Sequence, residues 1–265
     1  MRKTCVAAFN AWNYESIKSV VSAGERCGRP VIVMLYPGTS AHIPLTTFAE
    51  ITRDLAKKSS RPVCLHLDHC GDYDFLLAAM EAGFDSVLAD ASRLPFAENA
   101  AFVKRVVQAA KNYGASVEAE LGYVGSAGIL SDYADESKYT EPSDVESFAR
   151  ETGASCVAVA IGNAHGNYVE APKLDIKRLT ILSEAAGVPL VLHGGSGIPD
   201  DQLEEAVKNG ISKTNFGTDL FNASYAAMTR YSGSGGTRLM EMLQAGVDGG
   251  ASFAEGRIRL CAGDF

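Results

Sequence analysis

The chain has 265 residues, a net charge of −8, 46% apolar residues and 21% charged residues. That apolar share supports a substantial core and excludes a disordered chain. The acidic balance excludes a general nucleic-acid binder, which needs a basic face, and no run of ~18 apolar residues offers a membrane span.

Six cysteines, at 5, 27, 64, 70, 156 and 261, form no Cys-x-x-Cys pair and are expected as reduced, mostly buried thiols of a cytoplasmic protein. The start, "MRKTCVAAFNAWN", lacks the apolar stretch of a signal peptide.

Short apolar runs recur along the chain with helical stretches between them. In order they are "CVAAFN" (5–10), "PVIVMLY" (30–36), "PVCLHLD" (62–68), "SVLAD" (86–90), "SVEAEL" (116–121), "CVAVAIG" (156–162), "PLVLHG" (189–194) and "SKTNFG" (212–217). Each reads as a buried strand. Between the fourth and fifth, Phe102, Val106, Val107 and Ala110 fall on one helical stripe, with Lys104, Arg105 and Lys111 largely outside it and Gly114 as a stop. Before the eighth, "PDDQLEEAVKNG" carries acids in its first turn and Lys208 near its end, as the helix dipole prefers.

Eight strand–helix repeats without a linker predict an α/β protein, a single-domain (β/α)8 TIM barrel over residues 1–265. The stretch 122–144, after the fifth strand, is expected to be a lid-like loop, and 230–265 an irregular C-terminal tail.

In such a barrel, chemistry sits where the strands end at the C-terminal face. Those ends here are Asn10, Tyr36, Asp68 with His69, Asp90, Glu120, Asn163 with His165, His193 and Asn215, all polar. Three of them, His69, His165 and His193, suit Zn²⁺, which at catalytic sites keeps three protein ligands and one open position. His66 lies two residues before Asp68, so the pleat sends both to one face. It reads equally as a hydrogen-bond partner of the site or as a core residue.

Asp68 reads as a general acid–base beside the metal or as the group orienting His69. Glu118 and Glu120 share a face. Glu120 is an alternative metal ligand that Asp90 could join. The glycine-rich "HGGSGIPDD" after strand seven and "KTNFGTD" at strand eight suit an anion, because glycine lets backbone N–H groups approach a phosphate. Lys213 adds charge there only if it does not point outwards.

Several segments resemble the class II, metal-dependent ketose-bisphosphate aldolases of the fructose- and tagatose-bisphosphate type. They are "AFN", "HLDH", "ADASRLPFAENAAFVKRVV", "SVEAELGYVG", "YTEP", "VAVAIGNAHGNY", "PKLDIKRL", "PLVLHGGSGIPDDQLEEAVKNGISKTN" and "TDL", with a weaker echo in "GRIRLCAG". The resemblance implies zinc-dependent aldol cleavage of a ketose phosphate to dihydroxyacetone phosphate and an aldehyde. It places zinc on His69, His165 and His193, and assigns acid–base work to Asp68. A second or displaced metal falls to Asp90 and Glu120. Donor contacts fall to Asn10, Gly166, Gly194, Gly195, Ser196, Asn215, Phe216, Gly217 and Thr218. It further implies a monovalent cation (Na⁺ or K⁺) at the phosphate, a homodimer or homotetramer, and a phosphorylated sugar as the partner, with no nucleic acid or membrane involved.

The sequence departs from that pattern in four places. "GSAGIL" replaces the adjacent acids that usually follow "ELG", which leaves Asp132, Asp135 or Glu136 as candidate lid bases. Gly217 stands where the fructose type carries Asp, as in the tagatose type. Tyr36 replaces a small residue. No "DPR" tract is found, so Arg238 is the candidate for a distal phosphate. The other readings are a different metal-dependent lyase or epimerase on a sugar phosphate, and a non-catalytic zinc- and phosphosugar-binding relative.

Overall fold

A computed structural model describes residues 4–263. Eight parallel strands close into one ring in chain order: β1 (Val6–Asn10), β2 (Val31–Leu35), β3 (Val63–Cys70), β4 (Ser86–Ala89), β5 (Ser116–Leu121), β6 (Cys156–Val159), β7 (Leu190–Leu192) and β8 (Ile211–Phe216). The ring shuts where β1 meets β8, with Val6 opposite Lys213 and Phe9 opposite Phe216.

The helices that cover it are α1 (Tyr14–Cys27), α2 (Leu45–Lys58), α3 (Tyr73–Glu81), α4 (Phe96–Ala110), α5 (Pro142–Thr152), α6 (Ile176–Ala185), α7 (Asp200–Lys208), α8 (Thr218–Gly233) and α9 (Leu239–Cys261). This is the TIM barrel expected from the strand count.

Local signals explain the helix ends. Asn13 and Ser16 form a reciprocal capping box at the start of α1, and Gly28 ends it in the left-handed conformation. Asp72 accepts from the N–H groups of Asp74 and Phe75 at the start of α3. On α4, Val106 and Ala110 are buried, Phe102 and Val107 half-buried, and Lys104, Arg105 and Lys111 exposed. The main core lies between the strands and the helices, where Phe9, Leu65, Leu67, Val87 and Phe216 are buried.

The expectation of an irregular tail over 230–265 is wrong. Most of that stretch is α9, packed against α1 and α8, and residues 264–265 lie outside the described residues. Its glycines serve close packing. A Cβ at Gly249 would meet Ala227 Cβ at 2.5 Å and the Ala223 carbonyl at 2.9 Å. Ser19 on α1 donates to the Val247 carbonyl at 3.0 Å.

The stretch 122–144 is a loop broken by two short 3₁₀ turns, Leu130–Asp132 and Glu136–Lys138, and its end enters α5. It is tied to the next loop. His165 N–H donates to the Gly125 carbonyl at 2.9 Å, and Ala127 N–H donates to the His165 carbonyl at 2.8 Å.

Candidate active site

A cavity of about 1120 Å³ opens at the C-terminal end of the barrel. Asp68, His69, Asp90, Glu120 and His165 line it, and Asn10, Gly217 and Thr218 form one side. His193 stands just beneath, fully buried.

The three histidines arrive from β3 and from the loops after β6 and β7. His69 Nε2 and His165 Nε2 are 3.0 Å apart. One nitrogen from each of His69, His165 and His193 fits within a 4.8 Å group, and His69, Asp90 and Glu120 form a second such group. His69 Nδ1 meets Asp90 Oδ2 at 2.8 Å. His193 Nε2 meets Glu118 Oε1 and its Nδ1 meets Glu120 Oε2, both at 2.8 Å. Imidazoles oriented by carboxylates behind them are the usual support of a metal-ligating histidine.

The backbone at His69 is special. It is the one non-glycine among the described residues with positive φ, 39°. Between the pairs Leu67–Val87 and Cys70–Ala89 the register shifts, so Asp68 and His69 together oppose Leu88. That is a bulge, and it re-aims a strand locally. Such a backbone persists only where surrounding contacts hold it, and such residues cluster at functional sites.

The electrostatics favour a cation. Asp68, Asp90, Glu118 and Glu120 crowd the site, while Lys213 is the buried ammonium nearby. Burial alone would lower His69, but Asp68, the Asp90 hydrogen bond and Glu120 push it up to about 10. Burial lowers His165 to about 4, aided by charge on His69 and His193. Burial and the His69 charge both work to lower His193, yet hydrogen bonds to Glu118 and Glu120 raise it. Burial works to raise Asp68, yet His69, His193 and Lys213 hold it below the usual carboxylate range. An excess of carboxylates around convergent imidazoles fits a divalent ion of the borderline type that nitrogen ligands prefer.

Asp68 is gripped from both sides. Asn10 Nδ2 donates to its Oδ2 at 2.8 Å, and Asn215 Nδ2 donates to its Oδ1 at 3.1 Å. Gly217 permits this, because a Cβ there would meet Asn10 Oδ1 at 2.9 Å.

The glycine-rich loop after β7 is shaped by packing as well. At Gly194, φ is 63° and a Cβ would lie 1.9 Å from the Ala164 carbonyl oxygen, while at Gly195 a Cβ would meet the Asn215 carbonyl at 2.9 Å. Gly166, Gly194, Gly195, Ser196, Asn215 and Phe216 do not form the cavity wall. The Phe216 side chain stacks on Phe9 in the core at 5.6 Å, so only its backbone could reach a ligand. Ser196 Oγ accepts from the Asp219 N–H at 3.2 Å.

Other residues stand apart from their expected places. Lys213 does not point outwards. It lies inside the barrel, with Nζ 2.8 Å from Glu118 Oε2. His66 Nδ1 meets Ser86 Oγ at 2.9 Å, and its Nε2 is buried without a partner, so it is a barrel-interior residue rather than one bonded to the site. Asn163 is structural, with Oδ1 accepting from the Ile161 N–H and Nδ2 donating to the His193 carbonyl.

Of the lid acids, Asp132 alone reaches the wall, where it pairs with Lys138 at 2.9 Å. Asp135 and Glu136 are exposed and off the wall. Arg238 is paired with Glu241 at 2.6 Å, also off the wall. Sequence reasoning missed Arg93, among the described residues the one Lys or Arg on the cavity wall. It also missed the stack of Trp12 on Phe221 beside the cavity, with ring centroids 3.5 Å apart.

Residues 1–263 match the model of the family Fructose-bisphosphate aldolase class-II. The chain belongs to that family. Among solved structures, it is similar to the YdjI aldolase from Escherichia coli K12, with 31% identity over 99% of this chain and 93% of that one and a TM-score of 0.89. A provisionally assigned fructose-1,6-biphosphate aldolase from Coccidioides immitis shares 27% identity over 98% and 92%, with a TM-score of 0.88. Fructose-bisphosphate aldolase from Campylobacter jejuni, at 22% identity over 99% and 92% and a TM-score of 0.85, shares the fold.

Membership in the class II aldolases makes the chain an aldehyde-lyase, of the metal-dependent kind, acting on a phosphorylated sugar. Among the described residues, no helix is long and apolar enough to cross a membrane.

Proposed function

We propose that this class II aldolase catalyses reversible aldol cleavage of a ketose phosphate to dihydroxyacetone phosphate and an aldehyde, with zinc on His69, His165 and His193. The observation that carries the reading is the meeting of these three imidazoles beside a doubly held Asp68. The cation, when bound, supplies Lewis-acid polarisation of the donor carbonyl. Asp90 and Glu120, grouped with His69, offer the second position that a displaced or additional divalent ion would use.

In the cleavage direction, Asp68 takes the proton from the hydroxyl next to the breaking carbon–carbon bond. That bond's electron pair passes to the donor fragment as the aldehyde forms. Asn10 and Asn215 keep Asp68 fixed, and its low pKa keeps it ionised and ready to accept. In condensation the proton returns. Backbone groups at Gly217 and Thr218, on the cavity wall, hold the donor phosphate, with a monovalent cation beside it, and so fix the donor's orientation, while Gly166, Gly194, Gly195, Ser196, Asn215 and Phe216, off the wall, shape the loops around that end. Asp132, on the wall, is the lid acid that exchanges the proton on the donor carbon. The working assembly is a homodimer or homotetramer.

Release of dihydroxyacetone phosphate from a panel of ketose mono- and bisphosphates, with and without chelator, tests the reading. Activity should vanish on metal removal and return with zinc. Asp68→Asn should lower turnover about 10²–10⁴-fold with metal content unchanged. Full activity after complete metal removal refutes the proposal.

A further inference from the structure

We infer that Arg93 selects the acceptor half of the substrate by binding an anionic group at its far end, so that the aldehyde carries a terminal carboxylate or phosphate. This rests on the aldol reading above. Arg93 follows β4 and is, among the described residues, the one Lys or Arg on the cavity wall. The remaining charged wall residues are the histidines and four acids, Asp68, Asp90, Glu120 and Asp132, which repel an anion. Arg93 is exposed and makes no ion pair or hydrogen bond among the described residues.

Position matters as much as charge. In a closed ring of eight strands taken in order, β4 lies opposite β8. The donor phosphate sits by the loops after β7 and β8 in the proposed reaction. A ketose that crosses the metal therefore brings its other end towards β3 and β4. Tyr36, 48% exposed, and Thr39 line that same cavity and bring two further hydroxyl groups to it. About 1120 Å³ exceeds what a triose pair fills, leaving room for a longer acceptor.

The Arg93 loop is anchored to the metal centre. Ser92 donates to Asp90 Oδ1 through its N–H at 3.1 Å and its Oγ at 2.8 Å. Asp90 is also the partner of His69. Arg93 thus follows a turn that is tied to the metal-ligating cluster. A guanidinium forks onto carboxylate and phosphate alike, in paired hydrogen bonds. Arg238, the sequence's candidate for this task, is committed to Glu241.

The test measures condensation by the metal-loaded enzyme with dihydroxyacetone phosphate as donor. The acceptors are glyceraldehyde 3-phosphate, succinic semialdehyde and the neutral aldehydes glyceraldehyde and butyraldehyde. Arg93→Gln should raise KM for one or both charged acceptors by about tenfold or more, with kcat within roughly threefold and the neutral acceptors within roughly twofold. Arg93→Lys should recover part of the loss. Which charged acceptor responds tells phosphate from carboxylate.

Equal effects on charged and neutral acceptors, or none on either, overturn the inference. If the unaltered enzyme condenses none of these aldehydes, the aldol reading fails on its own. Calorimetric binding of 3-phosphoglycerate then decides for Arg93: about tenfold weaker binding to Arg93→Gln supports it, and unchanged binding overturns it.

Discussion

Replacing Lys213 by Met removes the ammonium that sits 2.8 Å from Glu118 inside the barrel. Glu118 is 1% exposed and, among the described residues, keeps only His193 Nε2 and the weak Cys156 thiol as donors. Breaking one partner of a buried ion pair costs about 3–5 kcal/mol, because the surviving charge is stranded. With the usual unfolding entropy per residue, a 265-residue chain loses roughly 5–9 °C of Tm for that change.

The effect should be flat through neutral pH. Burial works against the charge on Lys213, yet Glu118 and Asp68 raise its pKa, so its contribution is complete below the unfolded value of ~10.4 and fades only at higher pH. Burial works to raise Glu118, yet Lys213 and His193 hold it well below its ordinary value, so its share is complete above ~4.3 and is lost as pH falls. Urea unfolding at pH 7 with chelator present isolates this term from metal binding. The double variant Lys213→Met with Glu118→Gln should regain at least half of the loss. A single variant within about 1 kcal/mol of the parent, or a double variant less stable than the single, would refute the stranded-charge reasoning.

Gly194→Ala should be destabilised by about 2–4 kcal/mol, from the left-handed backbone and the contact with Ala164, and thermal melts read this directly. Burial pushes the Cys64 thiol up to about 12 and the Cys70 thiol up to about 11. Both should therefore resist iodoacetamide at pH 8 in the native protein and react once it is denatured, as peptide mapping would show. Rapid native labelling of Cys64 would contradict the burial argument.

The barrel was legible because each strand is a short apolar run ending in a polar residue, a pattern set by a ring whose wall is buried and whose mouth is open. His69, His165 and His193 could be paired with that mouth without coordinates, since strand ends converge by topology. What stayed hidden depends on which way a side chain turns. Lys213 is cationic and sits in an apolar run, so an outward path to water looked natural. Its real partner, Glu118, is 95 residues away. Arg93 lies in a loop segment, and nothing local in the chain marks it as facing the cavity. The helix α9 was missed because Gly246, Gly249 and Gly250 lower helix propensity, and only the nearness of α1 and α8 repays that loss.

The bulge in β3 has a consequence for how this chemistry could be moved to another scaffold. In a regular pleat, neighbours face opposite ways, and an acid and an imidazole next to each other could never share one chamber. Here one inserted position and one left-handed peptide bring Asp68 and His69 to a common destination. A designer grafting the pair onto an ideal barrel strand would have to transplant the irregularity with it. A straightened copy would keep both letters of the sequence and send one of them to the wrong side of the sheet.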